Sequence, residues 1–300
     1  MSNNRKIKAV SFGEVLWDVF ADGKKIGGAP LNLALRMQSL GCEAAMVSAI
    51  GKDTDGEEII SYVQEKGLDT TGIVTVEGYP TGLVQVYVNE RGSASYEISY
   101  PSAWDKIVLT PNVFNLVREA DVMIYGSLAC RDAVSKESLL KLLEIDGYKV
   151  FDVNLRPPHY EIDTLLELMK KADFIKFNDE ELIEIAGKLG SHDNLLEDNM
   201  EFIAKKTGSK AICVTKGKHG AILLWDDQLY SNSGYVVKVV DTVGAGDSFL
   251  ATLIMKLLVK ETPQKALDDA CAMGALVAAA TGANPDISTG QIEELTISVS

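Results

Sequence analysis

The hydrophobic positions of this chain fall into short runs whose period changes along its length. Residues 7–12 form a brief apolar run closing on Gly13, as a buried strand does. Residues 30–40 repeat their apolar side chains at helical spacing, with Pro30 near the first turn and Gly41 just past the end. Residues 44–50 predict a second strand, and Asp53-Thr54-Asp55 caps a helix running to Lys66-Gly67. This β-α-β-α succession is the rhythm of a parallel sheet covered by helices.

The rhythm breaks between residues 71 and 100. Val84, Val86 and Val88 alternate with Leu83, Gln85 and Tyr87, and beyond Asn89-Glu90-Arg91-Gly92 the residues Tyr96, Ile98 and Tyr100 alternate in turn. Two period-two runs joined by a short glycine-containing turn predict an antiparallel hairpin. It is either a separate β element or an edge extension of the main sheet. The α/β rhythm then resumes, with strands at 122–125, 150–153, 174–177 and 211–215. Helices fall at 133–144, 164–171, 180–189 and 199–207, a hairpin at 221–224 with 228–230, and late helices at 263–280 and 289–295.

One stretch combines periodicity with chemistry: Asp241-Thr242-Val243-Gly244-Ala245-Gly246-Asp247-Ser248-Phe249. Apolar residues at 249/250, 253/254 and 257/258 give one buried helical face, so Gly244-Ala245-Gly246 sits at the mouth of a helix. Backbone N–H groups there lack partners and the dipole's positive end faces out, which suits an anion. Small residues let a phosphate reach those amides. Asp247, in the first turn, is placed to take a proton from a hydroxyl while the amides hold the charge of a transferring phosphoryl group. The plainer reading is a common turn with an acid complementing the helix dipole. The stretch is neither a Walker A loop nor G-x-G-x-x-G.

Composition narrows the partners. The chain has 300 residues, enough for one α/β domain with an insert or for two domains. A net charge of −14 argues against nucleic acid or an anionic membrane as the main partner, though a local pocket can still take a nucleotide. Cys42, Cys130, Cys213 and Cys271 are widely spaced, which favours buried thiols over disulfides or zinc. With no signal-peptide pattern and no apolar run long enough to span a bilayer, a cytoplasmic protein is expected.

Ligands of open parallel sheets bind beyond the C-terminal strand ends, and several polar groups fall there. Asn178 and Glu181 follow one strand at i and i+3, able to reach one hydrated cation or phosphate, or to form a capping box. Thr215-Lys216-Gly217-Lys218-His219-Gly220 follows another, suited to nucleotide phosphates and ribose, or a plain basic turn. His219 reads as an exposed loop residue. Gly27-Gly28 lets backbone approach a ligand, while Asn32 and Asp18 offer hydrogen bonds to hydroxyls or act as caps and surface groups.

Asp-Thr-x-Gly-Ala-Gly-Asp-x-Phe resembles the C-terminal motif of the PfkB (ribokinase-like) sugar kinases. Gly27-Gly28-Ala29-Pro30-Leu31-Asn32-Leu33-Ala34 resembles their N-terminal motif. The resemblance implies a single domain with a ribokinase-like three-layer α/β/α sandwich, a mostly parallel central sheet and a small β lid. The lid is expected from insertions at about 14–25 and 72–102. It further implies an ATP-dependent kinase with Asp247 as base and the amides of Gly244, Ala245 and Gly246 holding developing charge. Asp18, Gly28 and Asn32 become sugar contacts, and Thr215, Gly217 and Gly220 ATP contacts. Asn178-Asp179-Glu180-Glu181 matches the family's Asn-x-x-Glu, with Asn178 near the phosphates and Glu181 near Mg2+ through water. Asp241 and Gly282 resemble a monovalent-cation loop, a place for K+. A homodimer through the lid is expected.

Asp152-Val153-Asn154-Leu155-Arg156 resembles a segment of fructokinases and 2-keto-3-deoxygluconate kinases, and together with Gly13-Glu14-x-Leu16-x-Asp18 it looks most like fructokinases, so fructose is the expected substrate. Arg156 then meets the transferred phosphate or an acidic substrate, and 2-keto-3-deoxygluconate, ribose and a nucleoside are the alternatives. A catalytically silent sugar-binding relative and a nucleotide-dependent oxidoreductase stand as other classes. The intact turn with Asp247 argues against the first, and the missing glycine fingerprint after the first strand against the second.

Overall fold

The apolar runs pair side by side in the computed structural model, which describes residues 5–88 and 94–297. In chain order the first elements are β1 (Lys8–Phe12), β2 (Leu16–Phe20), β3 (Gly23–Gly27), α1 (Ala29–Ser39), β4 (Glu43–Gly51), α2 (Thr54–Glu65) and β5 (Ile73–Val76). Next come β6 (Gly82–Val88), β7 (Ala94–Ile98), α3 (Pro111–Glu119), β8 (Val122–Gly126), α4 (Ala133–Leu142), β9 (Tyr148–Asp152) and α5 (Ile162–Lys170). Then follow β10 (Phe174–Asn178), α6 (Asp179–Lys188), α7 (Leu196–Thr207), β11 (Ala211–Thr215), β12 (Ala221–Trp225) and β13 (Gln228–Asn232). Helices α8 (Ala245–Leu258), α9 (Pro263–Ala278) and α10 (Thr289–Ile297) end the described chain.

Nine strands form one sheet in the order β13-β12-β11-β10-β9-β8-β1-β4-β5. From β11 to β5 every pairing is parallel, and the β12–β13 hairpin adds an antiparallel edge. Successive strand residues face opposite ways, so both faces are apolar and each carries its own core. Val10, Phe12, Tyr125, Phe151, Ile175 and Phe177 pack with α3 to α7 on one side. Ala9, Met46, Ile124, Val150, Phe174 and Cys213 pack with α1, α2, α8 and α9 on the other. Three layers result.

A second sheet of four strands, β3-β2-β6-β7, has its own apolar cluster of Leu16, Val84 and Val86, with Phe20 and Ile98 against it. The boundary differs from the pattern read in the sequence. Strand β5, inside the stretch assigned to the insertion, pairs parallel with β4 in the large sheet. The small sheet therefore takes up chain at β6, where Asp53 both caps α2 at Gly56 N and accepts from Thr81 N and Oγ1. The expected turn at Asn89-Glu90-Arg91-Gly92 lies outside the described residues. Helix α3 was not read from the sequence, although Thr110 caps it and Pro111 opens it. All four cysteines are free thiols. Among the described residues no helix is long and apolar enough to cross a membrane.

Candidate active site

Helix α8 starts at Gly244, whose φ of 76° lies in the left-handed region. A Cβ there would sit 2.4 Å from the Ala283 carbonyl oxygen, so the angle and the neighbouring loop both require glycine. No side chain caps this helix. The Ala245 N–H donates to Thr242 O at 3.3 Å, whereas the N–H groups of Gly244, Gly246 and Asp247 donate to no described residue. Gly246 is open: a Cβ built on it would have the Lys176 Nζ at 3.7 Å as its near neighbour. Free amides, a helix dipole and an ammonium converge on one place, which suits an anion.

Strand register explains the ammonium. Phe174 on β10 packs toward α1 and α8 while Ile175 and Phe177 face the opposite core, so Lys176 takes the α8 side. Asp152, two residues beyond Val150 on β9, takes the same side, and its Oδ1 meets Lys176 Nζ at 3.1 Å. Burial works against the lysine's charge, but the carboxylates of Asp152, Glu181 and Asp247 outweigh it and hold the ammonium above the ordinary lysine range. Lys176 was missed in the sequence. Its signal was there: a cation at an inward position of the strand Phe174-Ile175-Lys176-Phe177 requires a buried partner.

Asp247 Oδ2 accepts from Asn32 Nδ2 at 2.9 Å. Asn32 sits in the first turn of α1, which opens at Gly28, where a Cβ would lie 2.5 Å from the Glu14 carbonyl oxygen. Burial first and the Asp152 charge second push the Asp247 carboxyl up to about 6, against the pull of Asn32, Lys176 and Arg156. A carboxylate so tuned is a base near neutral pH.

Asp18, on β2 of the small sheet, is pushed up to about 6 by burial, with Arg156 and Lys25 opposing. Burial drives Glu14 to about 7, opposed by Arg156 and reinforced by Asp247. Arg156 is exposed, donates Nη1 to its neighbour Leu155 O at 2.9 Å, and forms no ion pair with a described residue. Its charge nevertheless reaches Asp18, Glu14 and Asp247. Asp18, Gly28, Asn32, Arg156 and Asp247 thus gather at one end of the sheet. A cavity of about 10 Å³ beside them is lined in part by Glu14, Ser127 and Asp152. Glu14 Oε2, Ser127 Oγ and Asp152 Oδ2 are all buried without a partner, a floor of oxygens suited to hydroxyl groups. Glu14 and Ser127 were not singled out as contacts in the sequence, because a carboxylate after a strand and a serine before a turn have many uses.

Asn178 and Glu181 make the capping box. Asn178 Oδ1 accepts from Glu181 N at 2.8 Å, and Glu181 Oε2 accepts from Asn178 N at 2.8 Å. Glu181 Oε1 also accepts from Leu155 N at 2.8 Å, fixing the loop that carries Arg156. Each oxygen keeps lone-pair capacity for a water. Among the described residues no three His, Cys, Asp or Glu side chains cluster to hold a metal.

Thr215 ends β11 opposite Asn178 in register, with Oγ1 donating to Phe177 O at 3.3 Å. Gly217 is exposed on the turn after it, Gly220 buried at the start of the next strand, and His219 exposed. Asp241 spends both oxygens on backbone, accepting from Val243 N at 3.0 Å and from Gly282 N at 3.2 Å. It thereby ties together the two loops flanking the start of α8.

Residues 2–290 match the pfkB family carbohydrate kinase pattern. The chain belongs to that family. Membership makes it an ATP-dependent carbohydrate kinase, and the ribokinase-like fold expected from its motifs is the fold observed. The kinase is 30% identical over 280 residues to probable fructokinase-4 of Arabidopsis thaliana, covering 86% of this chain and 84% of the plant protein. It is similar to the crystal structure of an uncharacterized sugar kinase from Pyrococcus horikoshii in complex with ATP, with TM-score 0.80 and 27% identity over 92% of this chain and 93% of that one. A double mutant of fructokinase from Vibrio cholerae O395, holding fructose, ADP and a potassium ion, shares the fold with TM-score 0.83 and 23% identity over 97% and 98% of the two chains.

Proposed function

We propose that this kinase transfers the γ-phosphoryl group of ATP to a hydroxyl of fructose. The observation that carries the transfer is the start of α8, where three free amides and the Lys176 ammonium adjoin a carboxylate raised to about 6. Asp247 takes the hydroxyl proton as the oxygen attacks the γ-phosphorus, the bond to the β–γ bridging oxygen breaks and ADP leaves, and the amides with Lys176 stabilise charge on the equatorial oxygens. Thr215, Gly217, Gly220 and Asn178 hold the nucleotide along the adjoining strand ends. Glu181 would hold a hydrated Mg2+ accompanying the nucleotide, and that ion would neutralise phosphate charge. A K+ ion beside Asp241 and Gly282 is proposed as an activator, tested by leaving K+ out of the assay. A homodimer through the small sheet, where Tyr87 and Tyr96 are 53% and 58% exposed, is tested by light scattering.

The substrate rests on charge. Glu14, Asp18, Asp152 and Asp247 surround the site, and of the two cations that act on Asp18 without an ion-pair partner among the described residues, Arg156 and Lys25, Arg156 also acts on Glu14 and Asp247. A neutral polyol satisfies such a floor, and fructokinase relatives at 30% identity support fructose. The same unpaired Arg156 favours a second reading, 2-keto-3-deoxygluconate, whose carboxylate it would bind. Side-by-side assays separate them. With fructose, Asp18→Ala raises KM about tenfold or more, since a hydrogen bond to a charged group contributes about 1.5–3 kcal/mol, and Arg156→Ala lowers kcat. A kcat/KM preference for the acid, with Arg156→Ala acting on its KM, would overturn fructose and leave the kinase intact.

A further inference from the structure

The loop between α9 and α10 reaches the reacting carboxylate through a single intermediary. Asn284 Nδ2 donates to Asn32 Oδ1 at 2.9 Å, and Asn32 Nδ2 donates to Asp247 Oδ2 at 2.9 Å. An ionised carboxylate only accepts, so Asn32 must turn its amino group to Asp247 and its carbonyl oxygen to the loop. That oxygen needs a donor, which Asn284 supplies. The Asn284 Oδ1 is itself buried without a partner, so the amide is oriented by what it donates.

One helical turn along α1, Arg36 is 2% exposed and holds the same two elements. Its Nε donates to Ser248 Oγ at 3.0 Å in the first turn of α8, and its Nη2 to Pro285 O at 2.9 Å in the loop. Asn32 and Arg36, four residues apart on one helix face, therefore keep the loop, α1 and the start of α8 in fixed register. A primary amide can turn end for end with little change in shape. Turned that way, Asn32 would point an oxygen at the carboxylate of Asp247 and an amino group at the Asn284 amino group, so the carboxylate and the Asn284 donor together hold one orientation.

We propose that Asn284 is a positioning residue for phosphoryl transfer, fixing the Asn32 amide so that Asp247 Oδ2 is held and Oδ1 is kept for the sugar hydroxyl. The proposal rests on Asp247 as the base. The other charges facing Asp247 are Asp152 on β9, Lys176 on β10, Arg156 after β9 and Glu14 after β1, and a neutral change at 284 replaces none of them.

The test is the pH profile of kcat/KM for Asn284→Leu, which keeps bulk and removes the donor. Losing the Asn32 bond should move the acidic limb up by about one pH unit and lower the plateau about tenfold. If the leucine variant does not fold, Asn284→Ala reads the same limb. A limb coinciding with the wild type, whatever the plateau, overturns the positioning role. Asp247→Asn run beside it keeps the two readings apart. Substantial turnover there sinks the base, whereas an inactive Asp247→Asn with an unmoved limb at 284 sinks the positioning alone.

Discussion

Helices α6 and α8 both begin at the C-terminal end of the sheet, and both starts stood out in the sequence, yet they are built in opposite ways. At α6, Asn178 and Glu181 bond each other's backbone N–H groups, and Glu181 reaches across to Leu155. At α8, Gly244 provides no cap, three N–H groups have no acceptor among the described residues, and the acid of the first turn is held by a side chain from another helix. N–H groups without a protein acceptor at a part-buried helix start are left to water or a ligand, and a carboxylate pushed up to about 6 by burial is unfavourable when ionised. A fold tolerates that where a ligand completes it. On the proposed function, the unsatisfied start takes the transferred phosphate, while the satisfied one first fixes its own helix and the loop that carries Arg156.

The largest expected effect breaks the comparison at Asp247. Asp247→Asn keeps the shape and the Asn32 contact region but cannot take a proton, so kcat should fall by about 10²–10⁴-fold while the nucleotide still binds, as calorimetry would show. Stability should move the other way. A carboxyl raised in the fold from 3.8 to about 6 stabilises the protonated folded state. Its contribution is fully present below pH ~4 and is lost as pH rises through about 6. The asparagine variant should therefore match the wild type near pH 4 and melt at a higher temperature above pH 6. Equal melting curves at both ends would refute the raised carboxyl.

Gly246→Val comes next. Gly246 is not among the positive-φ residues, so valine meets no left-handed backbone strain, and its Cβ would stand beside the Lys176 ammonium, at the proposed phosphate position. We expect kcat/KM to drop by about 10²–10³-fold with the melting temperature nearly unchanged. A variant with normal kinetics would make the open start of α8 a structural accident. The pH profile of the wild type is a smaller effect at the same place. As the pH falls through about 6, Asp247 takes up a proton and kcat/KM should decline tenfold per unit below it.

The two starts were unequally legible in the sequence. Apolar period alone gave the parallel strands and most helices, because both faces of this sheet are buried and the runs are continuous. Gly244-Ala245-Gly246-Asp247 was legible because small residues at the mouth of an apolar helix leave its first amides open, and the resemblance to a kinase motif chose that over a plain turn. The pairings across the chain were not. Lys176 meets Asp152 from a neighbouring strand, and Asn284 meets Asn32 from 252 positions away. No local period records such contacts, since tertiary packing makes them. Strand β5 falls in the stretch read as the insertion because its four residues, Ile73 to Val76, carry no sign of which sheet they join.

Glu181→Gln is the smallest change and the one that sharpens the contrast at α6. Glutamine has the same length, but one of its two ends donates where the carboxylate accepted. Either Leu155 N or Asn178 N must then lose its partner, and the variant should be destabilised by about 1–3 kcal/mol in urea unfolding. If α6 is scaffold, kcat should change only a few-fold, with the main loss in stability and in the order of the Leu155–Arg156 loop. If Glu181 also orients water on the nucleotide's Mg2+, the Mg2+ concentration for half-maximal rate should rise as well, and raising Mg2+ should restore kcat. A stable variant with a collapsed kcat that Mg2+ cannot restore would contradict both roles. It would move Glu181 from the satisfied helix start to the unsatisfied one, through the carboxylate pressure that Glu181 exerts on Lys176.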